Sequence, residues 1–300
     1  MIYTVTFNPS IDYVLQGYDF VPGVVNRVQE ASFFAGGKGI NISYILKNLE
    51  VESVAMGFVA GFTGREIQRI LQERKIQEDF VFMEEGASRI NVKLLNQKTE
   101  LNATGPVMKR EYMSEFYDKI QTLQKGDVLV LAGSLLKGMD DTTYKNVMKK
   151  VAKKGALVAV DTTKDALGNI LPLHPFIVKP NHHELGELLG REIISAEDAL
   201  SGARELQRMG AENVLVSMAE KGAVFVDENG KEYRQAAPEI QVVNPVGAGD
   251  SLLAGFLASY IKNGDYEKAF RFAVCAGSAS AAAKDLANKE EILSLWRRMS

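Results

Sequence analysis

Short β-rich runs alternate along this chain with helical ones, and several of the β-rich runs are apolar at consecutive positions. They are 2–7 (IYTVTF), 53–58 (SVAMGF), 127–133 (DVLVLAG), 156–161 (ALVAVD), 176–179 (FIVK) and 213–217 (NVLVS). A strand with one wet face alternates apolar and polar residues, so a run without that alternation is covered on both faces. Helical spacing fills the intervals. Ile42, Ile45, Leu46 and Leu49 recur at that spacing in 39–49, as do Leu252, Leu253, Phe256, Leu257, Tyr260 and Ile261 in 250–261. Segments 64–74, 112–124, 140–153 and 197–209 also read as helices. The alternation predicts one three-layer α/β/α domain over residues 1–300, with a mainly parallel sheet between helices.

Two regions break this pattern. Residues 11–35 carry Val14, Leu15, Val24, Val25 and Val28 around a Pro-Gly pair at 22–23, which reads as strands joined by a turn. Residues 88–104 read as a hairpin turning near Asn96–Lys98. Neither has a helix between its strands. Both insertions together predict a small β-sheet lid standing off the main sheet and covering a site. The same sheet could serve as a surface for a homodimer, and the two roles are compatible.

Composition removes several function classes. The 300 residues are 46% apolar and 24% charged, with a formal net charge of −3. No nucleic-acid or membrane partner is expected from that balance, because both need a broad cationic face. A small anionic ligand needs only a few local cations. Cys275 is the single cysteine, so no intrachain disulfide can form. The first residues show no basic flank, long apolar stretch or cleavage site, and no apolar run reaches membrane-spanning length. A cytoplasmic location is the expectation.

Chemistry is concentrated at three stretches. VVNPVGAGDSLLAGFLASYI (242–261) sets Gly247, Ala248 and Gly249, then Asp250, in front of an apolar helix. A helix start leaves N–H groups unpaired and carries positive partial charge, so an anion fits there. Small residues let an oxyanion reach those groups. Asp250 alone could be an ordinary cap. Capping does not call for small neighbours, whereas a migrating phosphate beside a base that takes a hydroxyl proton calls for all four.

FAGGKGINIS (34–43) opens another helix. It is no P-loop, since no Gly lies six positions before Lys38 and no Ser or Thr follows it. It is no dinucleotide fingerprint either, because Ile42 stands where the last Gly belongs. Gly36, Gly37 and Gly39 allow close approach of a polyhydroxylated ligand, with Lys38 and Asn41 as donors. A structural turn bearing an exposed lysine is the alternative. In VKPNHHEL (178–185), Asn181 and Glu184 share a face if a helix begins there, an oxygen-rich pair suited to hydrated magnesium. His182 and His183 lack further ligands at zinc spacing and read as solvent-facing residues of a first turn.

In order along the chain, GGKGIN (36–41), KPNHHEL (179–185), SMAEKGA (217–223) and NPVGAGDSLLAGF (244–256) resemble the ribokinase/PfkB family of carbohydrate kinases. The similarity covers essentially the whole chain. TFNPSIDYV (6–14), GFTG (61–64), RINVKL (89–94) and TELNATGP (99–106) look most like the branch acting on fructose 1-phosphate, with tagatose-6-phosphate kinases the nearest neighbours. Ala219 departs from the pattern, standing where many relatives have Gly.

This resemblance implies a ribokinase-like fold and transfer of the ATP γ-phosphate, with Mg2+, to the 6-hydroxyl of fructose 1-phosphate. It implies Asp250 as base, and the N–H groups around Gly247, Ala248 and Gly249 as the anion hole. The sugar would meet Asp12, Gly37, Asn41, Asn102 and Ser134, although Asp12 could equally be a turn residue. Lys38, Arg27 and Arg89 would meet the phosphate the sugar already carries, an arginine doing so bidentately. Each could instead be a solvated surface charge. The nucleotide would lie along Ser217, Met218, Ala219, Glu220, Lys221 and Gly222, close to Gly249. Lys179 and Asn181 would steer its phosphates, and Glu184 the magnesium. The rivals are a tagatose-6-phosphate or relaxed ketose-phosphate kinase, and a non-catalytic sugar-phosphate sensor. Asp250 argues against a sensor, because binding alone requires no base.

Overall fold

The structure, a computed structural model, describes residues 1–17, 20–97 and 99–299. The chain opens with β1 (Ile2–Thr6), β2 (Ser10–Gln16), β3 (Glu30–Gly36), α1 (Lys38–Asn48), β4 (Ser53–Ala60), α2 (Gly61–Glu73) and β5 (Gln77–Met83). There follow β6 (Arg89–Leu94), β7 (Thr99–Asn102), α3 (Arg110–Ile120), β8 (Val128–Ala132), α4 (Thr143–Ala152), β9 (Leu157–Asp161), α5 (Lys164–Ile170) and β10 (Ile177–Val178). The remainder holds α6 (His182–Leu189), α7 (Ala196–Arg208), β11 (Asn213–Ser217), β12 (Ala223–Val226), β13 (Glu232–Gln235), α8 (Ala248–Asn263), α9 (Tyr266–Ala282) and α10 (Lys289–Met299).

Nine strands form one sheet in the order β13-β12-β11-β10-β9-β8-β1-β4-β5. All its pairs are parallel except β11–β12 and β12–β13. Period-two geometry sorts each consecutive apolar run onto two faces. In β8, Leu129 and Leu131 join a core built with α3–α7, while Val128, Val130 and Ala132 join one built with α1 and α8–α10. All five are buried. This is the expected three-layer arrangement. Cutting Leu131 back to Ala would cost about 2–5 kcal/mol, because either core closes poorly around a lost isobutyl group.

A second sheet of four strands, in the order β3-β2-β6-β7, comes from the two predicted insertions. Residues Ser10 to Gln16 pair with Gly36 to Glu30, so the strands end well before the Pro-Gly turn. Val24, Val25 and Val28, expected in strands, therefore lie exposed in the connecting loop. Only 17–29 remain to join the two strands, and among the described residues nothing covers those valines. The hairpin expected over 88–104 is present as β6 and β7, joined through a 3-10 turn at Leu95–Gln97. Lys98, placed at its turn by the sequence, lies outside the described residues. One face of this small sheet turns toward the carboxyl ends of the main strands, where open α/β sheets bind ligands.

Candidate functional site

A cavity of about 1110 Å³ lies at those carboxyl ends, beneath the small sheet. Its polar groups arrive on several separate elements. The first turns of α1 and α8 supply two of them. Both helices start from a glycine with positive φ, Gly37 at 126° and Gly247 at 80°, and neither start has a side-chain cap. The left-handed φ of Gly247 favours glycine, and a Cβ there would also stand 2.5 Å from the end of the Leu286 side chain, which would have to move. The first-turn N–H groups of α8 thus open onto the cavity without a carboxylate folded over them.

Asp250 is buried but does not cap α8. Its Oδ2 instead accepts from Asn41 Nδ2 at 2.8 Å. Burial, then the charge of Asp161, push its carboxyl up to about 6, against the opposing pull of Lys38, Asn41 and Lys179. Asp161 ends β9 with a fully buried side chain. It pairs with Lys38 Nζ at 2.8 Å and with Lys179 Nζ at 3.2 Å. Burial pushes the Lys38 ammonium down, but Asp161 chiefly, with Asp250, outweighs this and leaves it firmly protonated. Gly249 makes room for Lys179, whose Nζ would lie 3.3 Å from a Cβ added there.

The inner face of the small sheet supplies the next group. Asp12 accepts from Ser10 Oγ at 2.7 Å and Asn91 Nδ2 at 2.9 Å, and pairs with Lys93 Nζ at 2.7 Å. A Cβ on Gly36 would sit 2.6 Å from the Asp12 carboxyl carbon, which accounts for glycine there. Arg89 Nε donates to Asn8 O at 3.1 Å, and burial lowers its guanidinium against the pull of Asp12. The amide oxygens of Asn8 and Asn91 are buried without a partner among the described residues, and both side chains line the cavity. Unpaired buried acceptors of this kind fit hydroxyl donors.

The third wall runs from α6 to the β11–β12 connection. Asn181 caps α6 in a capping box, with Glu184 N donating to Asn181 Oδ1 at 2.9 Å and Asn181 N donating to Glu184 Oε2 at 2.8 Å. Ser217, Ala219, Glu220 and Gly222 line the cavity beside them. Ala219 takes a left-handed φ of 51°, a conformation that favours glycine. Met218 is buried behind the wall, and Lys221 Nζ donates to Ile194 O at 2.8 Å, so neither lines it.

The family of the chain follows from comparison with known proteins. The model of the pfkB family carbohydrate kinases matches residues 5–292. This chain belongs to that family. Among curated relatives, a 1-phosphofructokinase from Bacillus subtilis is 43% identical over 98% of this chain and 97% of its own. A D-tagatose-1-phosphate kinase from Bacillus licheniformis is 34% identical over 97% and 96%. Among solved structures, phosphofructokinase-2 from Escherichia coli in complex with substrates and products aligns with a TM-score of 0.91, at 25% identity, over 99% and 98% of the two chains. The carbohydrate-kinase fold expected from the motifs is therefore the one present.

Of the pfkB-type site residues read from the sequence, Asp12, Gly37, Lys38, Asn41, Arg89, Asn102, Ser134, Lys179, Asn181, Glu184 and the run 247–250 all line one cavity. Arg27 is exposed in the β2–β3 loop and is not part of the lining. Lys38, read as a partner for the sugar's own phosphate, instead sits on Asp161 beside Asp250. Sequence reasoning missed Asn8, Asn91, Lys93 and Asp161. The period of two in RINVKL does put Asn91 and Lys93 on the face of Arg89. Asp161 carries a weaker signal, a charge ending an apolar strand at the sheet's carboxyl edge.

Proposed function

We propose that this chain transfers the γ-phosphoryl group of ATP to the 6-hydroxyl of fructose 1-phosphate, giving fructose 1,6-bisphosphate and ADP. The observation that carries this reading is Asp250. It is a buried carboxylate in the first turn of an uncapped helix, held by Asn41 and raised toward neutrality. A carboxylate so placed takes the hydroxyl proton, while adjacent N–H groups receive the phosphoryl oxygens.

The remaining residues position the reactants, which is most of what phosphoryl transfer needs. Asp12, Gly37, Asn102, Ser134 and the free amide oxygens of Asn8 and Asn91 receive the sugar hydroxyls. Arg89 and Lys93 receive the phosphate the sugar already carries. Lys38, tied to Asp161, places its charge by the moving phosphoryl group. The nucleotide lies along Ser217, Ala219 and Gly222, with its base between apolar residues such as Val246, Val274 and Ala281. Lys179 and Asn181 meet its phosphates.

Glu184 gives one oxygen to the capping box, and no cluster of three His, Cys, Asp or Glu that could hold a metal occurs among the described residues. So thin a donor set suits a magnesium that arrives on ATP and keeps most of its waters. Bound there, it would neutralise charge on the phosphates. The small sheet acts as a lid that keeps water from the phosphoryl group. On its outer face Phe33, Ile90 and Leu101 are exposed, with Tyr13 stacked on Phe33 at 4.5 Å, and a second copy of the chain would cover them in a homodimer. Among the described residues no helix is long and apolar enough to cross a membrane.

The test is ADP release measured with fructose 1-phosphate, tagatose 1-phosphate, tagatose 6-phosphate, fructose 6-phosphate and fructose. Fructose 1-phosphate is expected to give the highest kcat/KM. A preference for tagatose 6-phosphate would move the substrate assignment, and no release with any of them would favour a sensor.

A further inference from the structure

Asp161 has no assigned work in the reading above beyond neutralising two lysines, yet its position asks for more. It is among the most deeply buried charges in the protein, and its two oxygens are divided between ammonium groups from different elements. Lys38 comes from the first turn of α1 and Lys179 from the residue after β10. Neither lysine could reach the cavity in a fixed direction without a shared anchor, because four-carbon stems carry large rotamer freedom. Lys38 is a third exposed and Lys179 is 4% exposed, so one head faces the open part of the cavity and the other its floor.

We propose that Asp161 is a positioning residue for phosphoryl transfer: it fixes the Lys38 and Lys179 ammonium groups beside the Asp250 carboxylate and withholds part of their charge from that base. This rests on Asp250 being the base. Without the anchor, Lys38 would swing toward Asp250, an opposite charge that it already feels. The carboxylate would then be a weaker proton acceptor and the cations would be misplaced for the transferring group. The groups that face Asp250 are Lys38 and Asn41 from α1, Asp161 from β9 and Lys179 after β10.

Asp161→Asn keeps the shape and removes the charge. The expected result is a fall in kcat of roughly 10- to 100-fold, with the KM for sugar phosphate within about threefold. The acid limb of kcat/KM should move down by roughly one pH unit as Asp250 loses a like-charged neighbour. A residue that served only folding would leave that limb where it was. In a Lys38→Met background the same substitution should cost much less than in the native chain, because its effect runs through Lys38. Unchanged kcat and limb would overturn the proposal, as would recovery of full activity by raising magnesium, which would make Asp161 a metal residue instead. If Asp161→Asn does not fold, Lys38→Met alone serves: its acid limb should move up, and an unmoved limb overturns the proposal. Turnover retained in Asp250→Asn would sink the reading of the base itself. Loss there, with none in Asp161→Asn, sinks only this inference.

Discussion

Asn41 Nδ2 donates to Asp250 Oδ2 at 2.8 Å, joining the first turns of two helices that lie 209 positions apart in the chain. Among the described residues no donor reaches the other oxygen, Oδ1, so the bond leaves one face of the carboxylate for an incoming hydroxyl. A hydrogen bond to the charged form also keeps a buried acid from rising further. Asn41→Ala should therefore move the acid limb of kcat/KM upward and lower its plateau by roughly tenfold. A pH–rate profile decides it. A limb that stays in place would mean that Asn41 does not act on Asp250.

Asp250 also sets a stability signature. Its carboxyl is raised from the usual 3.8 to about 6 by burial and by Asp161, despite Lys38 and Lys179 nearby. A raised acid makes the folded state hold its proton more tightly than the unfolded state does. Ionisation thus costs the fold nothing below about pH 4, and the cost grows as pH rises through about 6. Asp250→Asn should stabilise the protein at pH 8 by on the order of 1–3 kcal/mol, with the gain disappearing near pH 4. Urea unfolding at the two pH values measures this, and an equal gain at both would contradict it.

Arg89 tests the sugar-phosphate end. It is held against Asn8 O on the inner face of the small sheet. Arg89→Ala should raise the KM for the phosphorylated sugar by roughly 10- to 100-fold, the worth of a charge-assisted pair, and leave the KM for ATP nearly alone. A change confined to ATP would move the sugar-phosphate site elsewhere.

The cavity wall formed by the β11–β12 connection carries a local strain. Ala219 at φ 51° pays about 1 kcal/mol for its Cβ. Ala219→Gly removes that cost but frees the unfolded chain by about 0.4–1 kcal/mol, so a net change of no more than about 0.6 kcal/mol, in the stabilising direction, is expected in denaturant unfolding. Gly222→Ala should do the reverse, since its Cβ would fall 2.1 Å from Gln235 O. A stable, active Gly222→Ala would refute this account of the loop.

These residues also mark what the sequence could disclose. The parallel strands were legible because burial on both faces leaves runs such as VLVLA without polar gaps. Helix α9 was not recognised. It packs on α8 through small residues, with Gly255 and Ala276 so close that an added Cβ would lie at 2.7 Å, and therefore shows Ala, Gly and Ser instead of an apolar stripe. β12 and β13 are four-residue antiparallel strands added at one edge, too short for a clear period. That the helix starts at 36–41 and 247–250 face one cavity was open to reading, since the glycines and the polar side chain beside them are local in the chain. Asp161 could not, because its meaning comes from Lys38 and Lys179, brought to it by the sheet. Arg27 misled for the opposite reason: in a long loop a charge has no fixed direction to read.

The most direct measurement is single-turnover phosphoryl transfer by Asp250→Asn, with nucleotide binding followed in the same preparation. The account expects the rate to fall by about three orders of magnitude or more while ATP affinity stays within a few-fold. A rate near that of the native chain, with nucleotide bound normally, would contradict it.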